Sequence, residues 1–356
     1  MNRKRNRSAK YFTRAVAFLL ILVTCFCFAS CNKYIPGENL IKTEEFGFTD
    51  GMFVCYMLKV SLEITEDELI EHGYDDSLPL DKQYYEGKTT WFDEIINRAV
   101  SKVTEVIVCC ELAKKDGVEL SLAEQQSVEN ELVSLRTEAV VSGCTSVDEF
   151  LKLTYNYAVT ENDIKNMYVY ETLSTKYLES IYEGIKSEIK EDEVLAHLES
   201  FDQSTLDHSA TRDLCHILVY NESYDYNKDE MKKAADELIN KIKEKGLSRE
   251  SFEAVAKEYS PNATSIYEGL KKGDMISEID NWLFAEGRVV GDINKSYSEE
   301  YGYHIFYYAS DNKEVCYFQA LGEIVDERMN EWMENALASV KVDVNKKAIY
   351  NLEINR

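Results

Sequence analysis

Two short apolar runs decide how this chain folds: Asp213-Leu214-Cys215-His216-Ile217-Leu218-Val219-Tyr220 and Tyr301-Gly302-Tyr303-His304-Ile305-Phe306-Tyr307-Tyr308. Both are short runs rich in β-branched, aliphatic and aromatic side chains, which is the pattern of a buried strand. Each carries one histidine near its start. Between them, 228–246 and 248–260 repeat apolar residues at helical spacing, Gly273-Asp274-Met275 interrupts the pattern, and 277–285 resumes it as a short apolar helix.

Five anchors fall in order along this stretch. They are His216-Ile217-Leu218-Val219, Phe252-x-x-x-Ala256-x-x-Tyr259-Ser260, Gly273-Asp274-Met275, Trp282-Leu283-Phe284-Ala285 and Gly302-Tyr303-His304-Ile305. In that order they resemble the parvulin (PpiC-like) family of peptidyl-prolyl cis-trans isomerases, over residues 209–311. The resemblance implies an α+β fold, with a small antiparallel sheet flanked by helices. It also implies an activity. Turning an X-Pro bond costs about 18–20 kcal/mol because amide resonance is lost at the twisted state, so a catalyst must hold the proline ring in an apolar socket and favour the twisted amide over both planar forms. No covalent step is needed.

Carried onto this chain, the family pattern places catalytic histidines at His216 and His304, hydrogen-bonded to each other under the substrate amide. The socket falls at Met275, with Ile279 where the family has Phe, Phe284 where the family also has Phe, and Leu270 beside them. Asn262, after Tyr259-Ser260-Pro261, stands where the family has Asp or Cys. Its amide can hydrogen-bond but supplies neither an anion nor a thiolate. The family's Gly-Gly-Asp-Leu-Gly tract is missing, replaced by Ser265-Ile266-Tyr267-Glu268-Gly269-Leu270 in a shorter loop. Neither a cofactor nor a metal is expected: a cluster of Cys215, His216, His304 and Cys316 fails because adjacent strand residues point to opposite faces.

Residues 1–30 open with Arg3, Lys4, Arg5, Arg7, Lys10 and Arg14, followed by an uncharged apolar run to Ala29 and then Ser30-Cys31. The run is too short to span a bilayer comfortably and ends in small residues before a cysteine, so it reads as a secretory signal. It resembles a bacterial lipoprotein signal, which implies lipid on Cys31, attachment to the bacterial cell membrane and an extracytoplasmic location. Losing residues 1–30 leaves 34 Lys and Arg against 65 Asp and Glu, a formal charge of −31. Such a surface repels nucleic acid and anionic lipid, so no nucleic-acid partner is expected. The six cysteines after Cys31 match no metal spacing and read as core thiols.

The remainder is helical. With 3 Pro and 15 Gly in 356 residues and 45% apolar side chains, the chain has material for two domains. Residues 31–48 read as a polar tether. Amphipathic patterns then follow over 51–63, 92–116, 121–142, 146 onward, 160 onward and 191–201, with Ser121-Leu122-Ala123-Glu124 a capping box. A further apolar face at Met329, Trp332, Met333, Ala336 and Leu337 needs a partner. Helices ahead of a parvulin-like stretch are similar to the helical region of PrsA/SurA-type extracytoplasmic foldases. That similarity implies a chaperone-like domain over 49–205 completed by 320–356, with unfolded or newly exported polypeptides containing X-Pro bonds as partners.

Three functions stay open from sequence: a membrane-anchored isomerase and foldase, a holdase whose parvulin-like domain is catalytically degenerate, and a structural or solute-binding lipoprotein. The anchor is testable at once. Cys31→Ser is expected to leave the signal uncleaved or to release the protein from the membrane fraction; a fully processed variant that still fractionates with membranes would refute it.

Overall fold

Hydroxyl and amide caps start most of the helices. The computed structural model describes residues 37–260 and 265–352. Strands β1 (Asn39–Lys42) and β2 (Gly47–Thr49) lead into α1 (Asp50–Glu63) and α2 (Glu66–Glu71), and a hairpin of β3 (Tyr84–Glu86) and β4 (Thr89–Thr90) precedes α3 (Trp91–Lys115). Next come α4 (Leu122–Val141), α5 (Val147–Tyr155) and α6 (Glu161–Glu188). Thr49, Thr65, Thr90, Ser121 and Ser146 each accept a first-turn N–H, which removes one orphan donor per helix. At Thr90–Asp93 and Ser121–Glu124 the bond is reciprocated, as a capping box requires. Gly117 ends α3 in the left-handed region, φ 73°, where Val118 N–H donates to Ala113 O at 2.8 Å.

Helix α7 (Glu191–Leu198) is followed by β5 (Ala210–Tyr220), α8 (Lys228–Glu244), α9 (Arg249–Tyr259), β6 (Ile266–Leu270), α10 (Ser277–Leu283), β7 (Ile293–Ser298) and β8 (Gly302–Glu314). The long α11 (Val315–Ser339), β9 (Asp343–Val344) and α12 (Lys346–Tyr350) complete the chain. Two units emerge, one of Met1–Glu183 with Met329–Arg356 and one of Gly184–Arg328. Among the described residues no helix is long and apolar enough to cross a membrane.

In the first unit, α1 and α3 bury Met52, Phe53, Trp91, Ile95, Ala99, Val103 and Ile107 in one core. The expectation of a tether over 31–48 fails from Asn39 onward. Leu40, Ile41 and Phe48 are 0% exposed in that core, because β1 pairs on one side with β2 and on the other with β9. Three apolar residues in a polar run are enough when a two-sided strand delivers them to one place. Cys31 and the signal segment lie outside the described residues.

Segments from the two ends of the described residues meet in this unit. Ile41 pairs with Val344, Asn345 N–H donates to Leu40 O at 2.8 Å, and Ile349 and Leu352 enter the same core. Trp332 and Met333 on the later turns of α11 pack with Cys109, Cys110, Leu173 and Tyr177, the Trp332 ring 6.0 Å from that of Tyr177. The earlier turns belong to the second unit, where Ala320 and Ile324 pack with Val194 of α7.

The second unit is built on a four-stranded antiparallel sheet of order β6-β5-β8-β7. One face carries Cys215, Ile217, Val219, Tyr303, Ile305 and Tyr307 and is covered by Met231, Ala235, Leu238 and Ile242 of α8 with Phe252, Val255 and Ala256 of α9. The other carries Leu214, Phe306 and Tyr308 and packs on Ile279 and Leu283 of α10. Asp213, 4% exposed, is hydrogen-bonded to three groups: Gly269 N–H at 2.9 Å, the Ser310 hydroxyl at 2.6 Å and the Asn312 side-chain amide. A buried carboxylate so supplied with donors ties β5, β6 and β8 together.

Closure of the first unit by the chain end can be measured. Ile349→Ala leaves a cavity at a side chain 1% exposed and is expected to lower the stability of that unit by about 2–5 kcal/mol. Urea unfolding followed by tryptophan fluorescence reads the shift; an unchanged midpoint would refute the closure.

Candidate active site

Strand register brings the two histidines together. His216 on β5 lies opposite Phe306 on β8, and His304 lies opposite Leu218, so the imidazoles are diagonal neighbours on one face. His216 Nε2 and His304 Nδ1 are 2.9 Å apart, the rings are 5.1 Å between centroids and 26° from parallel, and one proton is shared along that line. Ser296 on β7 lies opposite His304 on its other side. Tyr267 and Tyr301 approach the pair edge-on. His304 is 5% exposed, and among the described residues its Nε2 has no hydrogen-bond partner.

Burial penalises charge on both rings. It pushes His216 down to about 4, the neighbouring imidazole adding to the effect, and it pushes His304 down as well. At neutral pH the pair is therefore uncharged, a hydrogen-bonding surface with neither acid strength nor anionic character.

Gly302 makes the approach of the strands possible. It sits at the start of β8 with φ 118°, and a Cβ there would lie 2.2 Å from Val219 O. Only glycine adopts that backbone without strain and leaves that space, which is the physical content of Gly302-Tyr303-His304-Ile305.

On the face that the histidines share lie Phe306, Leu214 and Tyr308, and over them lie Met275, Ile276, Trp282 and Phe284. Met275 and Phe284 are half-buried and partly open to solvent, as is Trp282, whose ring meets Phe306 at 4.7 Å. Ile279 and Leu270, 1% and 9% exposed, form the floor beneath and no part of the accessible wall. Of the residues the sequence singles out, His216, His304, Met275, Phe284, Ile279 and Leu270 thus converge on one face of one sheet. Asn262 lies outside the described residues.

Several contributors went unread in the sequence. Arg212 stacks its guanidinium between Phe284 and Tyr308, 5.3 and 4.9 Å from the ring centroids, and donates to Leu283 O. Arg288 lies 4.1 Å over the Trp282 ring and donates to Trp282 O at 3.0 Å. These cations hold the aromatic wall in place. Phe306 was legible, because it stands two residues from His304 on a strand and must share its face.

Residues 216–310 match the model of the PPIC-type PPIASE domain, the rotamase family. The matched segment begins at one histidine of the pair and contains the other. The chain carries a PPIC-type peptidyl-prolyl isomerase domain. This isomerase domain has the α+β architecture of a small antiparallel sheet flanked by helices, and it follows a largely helical unit. Among solved structures the chain is similar to the peptidylprolyl isomerase PrsA of Bacillus anthracis, 20% identical over 72% of this chain and 100% of that one, with a TM-score of 0.22. It is similar too to PrsA of Bacillus subtilis, 19% identical over 75% and 90%, TM-score 0.32, and to the foldase protein PrsA of Lactococcus lactis, 12% identical over 88% and 96%, TM-score 0.24. No curated protein matches the chain.

The histidine pair gives the isomerase domain a pH signature. The unfolded chain takes up the His216 proton near 6.5 and the folded domain only at about 4. Between those values the unfolded state binds more protons, so stability is full above about pH 6.5 and falls as the pH drops toward 4. The loss attributable to His216 is on the order of 3 kcal/mol. Comparing urea unfolding of wild type and His216→Gln at pH 7 and pH 5 isolates it; an identical pH slope in both would refute the assignment.

Proposed function

We propose that this chain is a membrane-tethered foldase whose PPIC-type domain accelerates X-Pro isomerisation in newly exported polypeptides. The observation that carries the reading is the neutral His216–His304 pair on the same sheet face as the half-open apolar wall of Met275, Trp282 and Phe284. A proline ring seated on that wall places its amide over the pair. The wall excludes water, which solvates the planar, charge-separated amide better than the twisted one. An uncharged imidazole pair shapes the floor beneath the amide without titrating the substrate. In this reading His216 and His304 are the catalytic pair, Met275 and Phe284 grip the ring, and Ile279 and Leu270 support it from below. By the family pattern, Asn262 would supply a neutral hydrogen-bonding group to the substrate carbonyl.

The helical unit is the place for holding unfolded chain. Leu122, Val133, Val140 and Val141 of α4 and Leu153 of α5 are all at least half exposed, with the acidic residues of those helices around them. Such scattered apolar exposure suits weak, unselective contact. Lipid on Cys31 would keep the protein at the surface where exported chains emerge, since its charge gives no attraction to an anionic bilayer.

Met275→Ala removes contact worth about 1–3 kcal/mol. Realised at the twisted amide, that is a rate loss of roughly 5- to 150-fold on a proline-containing peptide. His216→Ala is expected to slow turnover also, with cooperative unfolding checked in parallel. A wild-type protein indistinguishable from buffer in the isomerisation assay would overturn the catalytic reading, and suppression of aggregation that survived in Met275→Ala would identify a holdase.

A further inference from the structure

Away from the isomerase site, three metal-ligating side chains of different chemistry meet where the domain begins and ends. His208 precedes β5, Glu314 is the last residue of β8, and Cys316 lies in the first turn of α11. His208 Nδ1 is 2.5 Å from Glu314 Oε2, and Cys316 Sγ is 3.7 Å from His208 Nδ1 and 3.6 Å from Glu314 Oε2. The backbone preorganises them. Val315 N–H donates to Ser209 O at 3.1 Å and Cys316 N–H donates to Asp207 O at 2.9 Å, so His208 is held between the two acceptors that grip the Glu-Val-Cys turn.

We propose that His208, Glu314 and Cys316 form a binding site for a borderline-soft divalent cation, Zn²⁺ being the best fit. A tetrahedral ion with bonds of about 2.3 Å to sulfur, 2.0–2.1 Å to imidazole and 2.0–2.2 Å to carboxylate separates sulfur from its N and O neighbours by about 3.5 Å, and N from O by about 3.3 Å. The sulfur contacts already have that spacing. Only the His208–Glu314 pair must open, by about 0.8 Å, and both side chains are more than half exposed and free to move. Thiolate with imidazole excludes Mg²⁺ and Ca²⁺, which require oxygen ligands. Three protein ligands leave one position to water.

Bound metal would clip the entry of β5 to the exit of β8, closing the whole isomerase domain between His208 and Glu314. It rests on none of the isomerase chemistry.

Cobalt(II) titrated into the full chain is the test. One equivalent is expected to bind, with a thiolate-to-cobalt charge-transfer band that Zn²⁺ displaces, and Zn²⁺ is expected to raise the thermal midpoint. Cys316→Ser should abolish the band. His208→Ala, at an exposed position, should weaken binding by at least about tenfold. A wild type without the band, or affinity unchanged in His208→Ala, would overturn the proposal even if Cys316→Ser fails to fold.

Discussion

The antiparallel pairing of β5 with β8 is the constraint on which the second unit depends. It runs from Ala210–Glu314 to Tyr220–Gly302, with bulges near Ala210 and Asp213. Because side chains alternate along each strand, this one register sends Cys215, Ile217, Ile305 and Tyr307 to the face covered by α8 and α9, and His216, His304 and Phe306 to the face beneath α10. A slip of one residue would exchange the two sets and place both imidazoles in an aliphatic core. Gly302 at one end and the Asp213 hydrogen bonds at the other hold the register from both sides.

The same pairing explains why the histidines are neutral. A strand interior gives each imidazole a neighbour and removes its water, and desolvation then outweighs every other influence on His216. Neutrality and proximity thus have a single cause. The cation-stacked wall of Trp282 and Phe284 adds apolar surface on the same face while keeping Arg212 and Arg288 on the aromatic flanks, away from the pair.

In the first unit the corresponding constraint is closure by the chain's own end. The pairing of β1 with β9, and Ile349 and Leu352 behind it, complete a core begun about 300 residues earlier. Closing so long a loop costs conformational entropy that grows only slowly with length, and burial of several large side chains readily offsets it. Asp163 serves a similar purpose locally: its carboxylate caps its own helix at Thr160 and accepts from the Thr49 hydroxyl at 2.6 Å, joining α6 to the start of α1.

Sequence alone determined the local features whose physics is local. The capping box at Ser121 announces a helix start because N-cap bonds span three residues, and the period-2 and period-3.6 patterns identify strands and helices for the same reason. The ordered anchors from His216 to Ile305 also marked the isomerase domain, since its two histidines lie on regular strands. Tertiary structure decided the rest. Leu40, Ile41 and Phe48 are unremarkable in a polar run and become core only through β9, whose two residues carry no strand signal of their own. Arg212 reads as an ordinary surface charge until Phe284 and Tyr308 fold onto it. His208 and Cys316 stand 108 residues apart and meet only because β5 and β8 are partners. Contacts set by long-range pairing leave no periodic trace in the chain, and these are the contacts that turn a legible fold into a site.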